Sequence, residues 1–198
     1  GGPPCKRFSR LANIVRARYG EEALAPDMFP EFERVIAKAA PAWFLCENVP
    51  DAPLPAVPDY EVRSMLVDNR HDCGGEQSRA RRFSFGTKDG RTLTLEWPPP
   101  PVPMVWKPAV TANDGGGRRR VPKRGEDGKP LGNQAWDGEH IAKTTFPEAL
   151  RLQGLPPDFL SDAPFTTAGK REAVGNGVPL TMGRVIARAV RRALGGEG

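Results

Sequence analysis

In the stretch EFERVIAKAA, residues 31–40, Phe32, Val35, Ile36 and Ala39 recur at a spacing of three and four, and Pro41 closes the pattern. That spacing predicts an amphipathic helix. The run WFLCENV at 43–49 is short, apolar and aromatic before it turns polar, as in a buried strand whose last residues emerge at the carboxyl edge of a sheet. A helix followed by a buried strand points to an α/β fold. DAPLPAVPD at 51–59 carries too much proline for a regular helix. Three strand patterns follow, YEVRSMLVD at 60–68, RRFSFGT at 81–87 and RTLTLEW at 91–97, the last two joined through KDG, a hairpin signal.

Farther on, PPPPVP at 98–103 reads as stiff and extended, and from 112 to 138 the chain is dominated by Gly, Arg, Lys, Asp and Asn, a long loop or disordered arm. Order returns at TTFPEALRLQG. Thr145 and Glu148 stand in capping-box spacing and Pro147 falls in the first turn, where its missing N–H costs nothing. A last helix from about Leu180 places Met182, Val185, Ile186, Ala189, Val190 and Leu194 on one face and arginines on the other. Its apolar face belongs against a sheet. No internal repeat is visible.

With 198 residues the chain is long enough to bury a real core, but 38% hydrophobic content beside 22 Gly and 22 Pro means that part of it is loop. The net charge of +5 suits an anionic partner without identifying one. Three cysteines and no secretory signal read as reduced thiols, so a cytoplasmic location is expected. No apolar run reaches spanning length, and His71 with Cys73 lacks a second ligand pair at zinc spacing. Neither a membrane nor a metal is expected.

Chemistry concentrates in PPCKRFS at 3–9, ENV at 47–49 and QSRARRF at 77–83. Each has an ordinary reading taken singly: Cys5 as a small buried hydrophobe, Glu47 as a strand-end residue, and Arg79 with Arg81 as one solvated strand face by period two. Cys46, inside an apolar strand, and Cys73, in a polar loop, read as structural.

Taken in order, the stretches resemble the DNA (cytosine-5) methyltransferase family. GGPPCKRFS is similar to its nucleophile loop, FLCENVP to its Glu-Asn-Val motif and EQSRARRFSFG to its Gln-x-Arg-x-Arg motif, while PEALRLQGLPPDF and AVGNGVP are similar to its last two blocks. The resemblance implies a Rossmann-like methyltransferase sheet, incomplete because the family's N-terminal cofactor-binding half is missing. It divides the chain into a catalytic half at 1–86, a reduced target-recognition region with a Gly/Arg-rich loop at 87–138, and a C-terminal return at 139–198.

It also implies S-adenosylmethionine as methyl donor, double-stranded DNA and the missing N-terminal half as partners, and a cytosine everted from the duplex. Cys5 then adds to carbon 6 of that base, Glu47, with a raised pKa, serves N3 and the exocyclic amine, and Arg79 and Arg81 orient the base. Ser9, Lys6, Arg7, Asn48 and Gln77 fall on DNA contacts, and Asn176, Gly177 and Val178 on the cofactor. GNGVP is equally a turn before the last helix. Arg118, Arg119 and Arg120 belong either to a phosphate-binding arm or to a solvated tail.

Lys6 stands where the family usually has Gln, and Arg7 where it has a small residue. The room for target recognition is as small as in phage and prophage methylases. The alternative function is a catalytically silent DNA-binding remnant. A thiol hydrolase would need a histidine base, and His71 and His140 lack the context for one.

Overall fold

A computed structural model describes residues 1–96, 100–102, 107, 109–110, 119–122, 136–139 and 144–196. They form two compact units, one made of 1–108 with 181–198 and the other of 109–180.

The first unit is built on a three-stranded sheet of β1 (Trp43–Asn48), β2 (Glu61–Asp68) and β3 (Ala80–Thr87), in the order β1-β3-β2. β3 runs antiparallel to both neighbours, so β1 and β2 share a direction with a reversed strand between them. Beyond β1, the amino group of Gly1 donates to the Leu45 carbonyl at 2.9 Å, and the Glu47 N–H donates to the Gly1 carbonyl at 2.9 Å. Two bonds that straddle Cys46 in this way are a parallel pairing, and they dock the first residue on the outer edge of β1.

Helix α1 (Arg10–Tyr19) follows the first loop, and α2 (Phe29–Ala39) precedes β1. Of the apolar stripe expected over 31–40, Phe32 and Ile36 pack on the core that holds β1, whereas Val35 and Ala39 are exposed. Phe44 and Cys46 on one face of the strand are buried with Phe29, Ala52 and Val57, and Phe8, Phe32, Ile36, Tyr60 and Val62 pack around them. Ring centroids lie 5.9 Å apart for Phe32 and Phe44 and 5.3 Å apart for Phe44 and Tyr60, both edge-on, the favourable arrangement for aromatic quadrupoles. The other face of the sheet carries Phe83, Phe85 and Val67, all buried. The last helix, α5 (Leu180–Ala193), buries Met182, Val185, Ile186, Ala189 and Val190 as expected, whereas Leu194, expected on the same face, lies past its end and is exposed; Arg184, Arg188 and Arg191 are exposed.

The expected strand over 91–97 is not formed: residues 91–96 belong to no ladder, and Trp97 lies outside the described residues. The reason is topological. Both edges of β3 are taken by β1 and β2, so a hairpin partner after the KDG turn has no free edge to pair with. The segment is tied to α5 instead, through Arg192 donating to the Thr94 carbonyl at 2.8 Å and Arg91 donating to the Ala193 carbonyl at 3.0 Å.

In the second unit, α3 (Phe146–Gln153) begins at Thr145, whose hydroxyl accepts from the Glu148 N–H as the capping spacing predicts. A further helix, α4 (Thr167–Asn176), is capped by the Thr166 hydroxyl. Val110, Ala149, Leu150, Leu152 and Val174 form the core between them. Residues 119–122 and 136–139 pair as an antiparallel ladder of β4 (Arg119–Pro122) and β5 (Trp136–Glu139). The expected unbroken loop over 112–138 is therefore corrected at these positions, and the rest of that stretch lies outside the described residues. Among the described residues no helix is long and apolar enough to cross a membrane.

Candidate active site

The carboxyl end of β1 organises the site. Strand alternation turns Asn48 to the same side as Cys46 and Glu47 to the opposite side. The Asn48 amide donates to the Pro3 carbonyl at 3.0 Å while its oxygen accepts from the Val49 N–H at 2.9 Å. Pro3 is thereby pinned to the strand end. Cys5, two residues on, opens a short 3-10 turn over Cys5–Arg7 and is partly exposed. Since consecutive Cα atoms are about 3.8 Å apart, the Cys5 Cα lies within about 7.6 Å of the Pro3 Cα.

On the other side of β1, Glu47 pairs in register with Phe83, which puts Arg81 on its diagonal and on the same face. The Arg81 Nε stands 2.8 Å from the Glu47 Oε1, with side chains 18% and 26% exposed. This is a shielded, oriented pair and not a solvated surface one. Burial pushes the Glu47 carboxyl above its ordinary range, against the opposing pull of Arg81 and then Arg79. The direction, upward, is the one the sequence leads one to expect for this carboxyl. Arg79, one residue before β3, is 4% exposed.

The residues expected on DNA differ in their surroundings. Asn48 is buried and committed to Pro3 and Val49; it holds the cysteine loop. Gln77 is fully buried, where its carbonyl accepts from Asn69. Arg7 donates to the Ala25 carbonyl at 3.1 Å and pairs with Glu21 at 3.4 Å, a carboxylate it shares with Arg16. Ser9 precedes α1 and its hydroxyl donates to the Lys6 carbonyl at 3.2 Å. Lys6 is exposed. Arg118 lies outside the described residues, and Arg119 and Arg120 are described only as backbone of β4.

Asn176, Gly177 and Val178 belong to the second unit. Gly175 and Asn176 are the end of α4, so the reading of GNG as a free turn is corrected, and Gly177 is the C-cap. The Gln153 amide donates to the carbonyls of Val174 and Gly177 at 2.6 and 3.3 Å, fixing the path of this segment.

Three contributors are not evident from the motifs. Arg82, opposite Asn48 in register, donates from Nε and Nη2 to the Pro50 carbonyl at 3.0 and 2.5 Å and braces the turn after Glu47. Its phase in RARR, out of step with Arg79 and Arg81, is the sequence signal for that different duty. Asn69 ties the loop before β3. Helix α1 also escapes the apolar pattern, because Ile14 and Tyr19 are exposed; Ser9 before it and Gly20 after it were its legible signals. Among the described residues no group of three or more His, Cys, Asp or Glu side chains could hold a metal ion.

Comparison with known proteins bears on the first part of the chain and on the fold. Residues 1–53 match the family model of C-5 cytosine-specific DNA methylases, a stretch that spans the cysteine loop and β1. The fold is similar to that of the Entamoeba histolytica methyltransferase EhMeth, with a TM-score of 0.62 at 13% identity over 98% of this chain and 76% of that one. It is also similar to a protein described as a DNA modification methyltransferase encoded within an E. coli prophage, with a TM-score of 0.50 at 18% identity over 98% and 78% of the two chains. The cysteine loop and the strand bearing Glu47 thus lie in the stretch that matches the C-5 cytosine-specific DNA methylase family model, on a chain whose fold is similar to those of two methyltransferases.

Proposed function

We propose that this chain carries the nucleophile and base-binding groups for methylation of carbon 5 of cytosine in DNA. The observation that supports it most is the Glu47–Arg81 pair at the strand end to which Asn48 pins the cysteine loop. Cys5 adds through Sγ to carbon 6 of an everted cytosine. The electron pair displaced from the 5,6 double bond moves through the ring toward N3, where the Glu47 carboxyl delivers or shares a proton. Arg81 holds that carboxyl in place and, with Arg79, presents guanidinium donors to the base oxygen. Carbon 5 is then enamine-like and nucleophilic. Once carbon 5 has gained its substituent and lost its proton to a base, the S–C6 bond breaks with return of the thiolate, N3 gives its proton back to the Glu47 carboxylate, and the aromatic ring is restored.

S-adenosylmethionine, when bound, supplies an electrophilic methyl group. Asn176, Gly177 and Val178 fit one wall of its site: Asn176 is exposed, Val178 is half-buried, and Gly177 has an ordinary φ of −67°. A Cβ added at Gly177 would meet nothing nearer than 3.4 Å, so the local backbone does not itself demand glycine, whereas close approach by a ligand would. DNA is the substrate in this reading, the rest of the cofactor site comes from a further methyltransferase segment, and the reduced thiols suit the cytoplasm.

The test avoids the methyl donor. Reversible addition of Cys5 at carbon 6 makes the carbon-5 hydrogen exchangeable, so the chain is incubated with DNA labelled with tritium at carbon 5 of cytosine, and release into water is counted. Release by the wild-type chain, abolished in Cys5→Ser, is expected. Binding of DNA without release from the wild-type chain would overturn this reading and leave a silent DNA-binding remnant.

A further inference from the structure

Asn69 is fully buried immediately after β2, and all four of its polar groups are engaged. Its N–H donates to the Arg79 carbonyl at 3.0 Å, and its carbonyl accepts from the Gly75 N–H at 2.8 Å. Its side-chain Nδ2 donates to the Gln77 carbonyl at 3.2 Å, and its Oδ1 accepts from the Thr181 hydroxyl at 2.6 Å. The backbone bonds would survive replacement of the side chain, but the two side-chain bonds would not. They reach Gln77, three residues before β3, and the first turn of α5.

Alternation along a strand is strict, so the point at which the chain enters β3 decides which residues face Glu47. A slip of one residue would bring Ala80 and Arg82 to that face and turn Arg81 away. The entry is held from both sides. Gln77 is also bridged to Lys107, with the Ser78 N–H on the Lys107 carbonyl at 3.1 Å and the Lys107 N–H on the Glu76 carbonyl at 3.1 Å. Gly75 lets the loop close on Asn69, since an added Cβ there would overlap the Asn69 amide.

We propose that Asn69 is a positioning residue for the base-binding arginines: its amide, fixed by the Thr181 hydroxyl at the head of α5, sets the phase in which β3 presents Arg79 and Arg81 to Glu47. This rests on the function proposed above only in what the arginines are for; the brace itself is a property of the fold. The side-chain bonds of Asn69 go to Gln77 and Thr181, so the brace acts through the entry to β3.

The reporter is the carboxyl of Glu47, whose charged neighbours are Arg81 from β3, Arg79 one residue before that strand, and the amino group at Gly1. Its titration is followed by NMR on chain labelled with carbon-13 at glutamate carboxyls, assigned by Glu47→Gln. Arg81→Ala raises it and calibrates the response. Asn69→Ala is expected to raise it by about half a unit or more, Thr181→Val to raise it less, and Thr181→Ser, which keeps the hydroxyl, to restore the wild-type curve. If Asn69→Ala does not fold, Thr181→Val with its Thr181→Ser rescue carries the test. A folded Asn69→Ala or Thr181→Val chain in which Glu47 titrates as in wild type overturns the proposal. A chain that shows the shift but releases no tritium from carbon 5 keeps the brace and loses the methylation reading.

Discussion

The amide of Asn48 donates to the carbonyl of Pro3 at 3.0 Å, and by that bond the last residue of a strand holds a loop that is far away in sequence. Removing it leaves the Pro3 oxygen and the Val49 N–H without their buried partner. Asn48→Ala is therefore expected to cost about 1–3 kcal/mol, read by urea denaturation, and to increase amide hydrogen exchange across residues 3–8. Unchanged exchange there would mean that the loop is held by something else.

The three cysteines divide by burial. Desolvation pushes the Cys46 thiol up to about 11 and the Cys73 thiol up to about 12, whereas Cys5 is partly exposed. At pH 8 a disulfide reagent should titrate one thiol quickly in the native chain, lost in Cys5→Ser, and all three after unfolding. Two fast native thiols would contradict this arrangement.

Glu47 imposes a pH dependence on stability. Its folded pKa is raised above the ordinary 4.5, so the folded chain binds the proton more tightly than the unfolded one. The stability that it contributes is complete below about pH 4.5 and is lost as pH rises through the folded value. Denaturation of wild type and Glu47→Gln over that range should show the wild type declining relative to the variant as pH rises. A gap moving the other way would mean a depressed carboxyl.

Glycines at 75 and 177 should respond oppositely. Gly75→Ala drives a methyl into the Asn69 amide and should cost about 1–3 kcal/mol. Gly177→Ala has room and should change stability by less than about 0.5 kcal/mol, yet weaken S-adenosylmethionine binding measured by equilibrium dialysis. Equal affinity of wild type and Gly177→Ala would remove Gly177 from the cofactor wall.

Ala40 ends α2 in the left-handed region at φ 45° and ψ 49°, where a Cβ costs about 1–2 kcal/mol. Ala40→Gly, at a position that favours glycine, should raise stability by about 0.5–1 kcal/mol after its own entropy cost. A lower melting temperature would show that the residue is not held there.

How much of this was legible varied with the range of the interaction involved. Helix α2, strand β1, the Thr145 cap and the buried stripe of α5 are local patterns, because periodicity and capping depend on residues within a turn or two. The strand over 91–97 carried an equally good local signal and failed, since its pairing depended on an edge that β1 had already taken. α4 was hidden by its glycines, and α1 by the exposure of Ile14 and Tyr19. Within the site, Cys5, Glu47 and Arg81 could be read from motifs, whereas Asn48 and Gln77 were expected on DNA and are buried.

By itself, the sequence determined which chemical groups are present and the phase of each strand, because alternation makes Arg79 and Arg81 share a face wherever the strand lies. Only the tertiary structure decided what that face meets. The diagonal of Glu47 to Arg81, the Asn48 bond to Pro3 and the Asn69 bond to Thr181 join residues 34, 45 and 112 positions apart, and partners at such separations are set by strand register and helix packing, which no local pattern encodes.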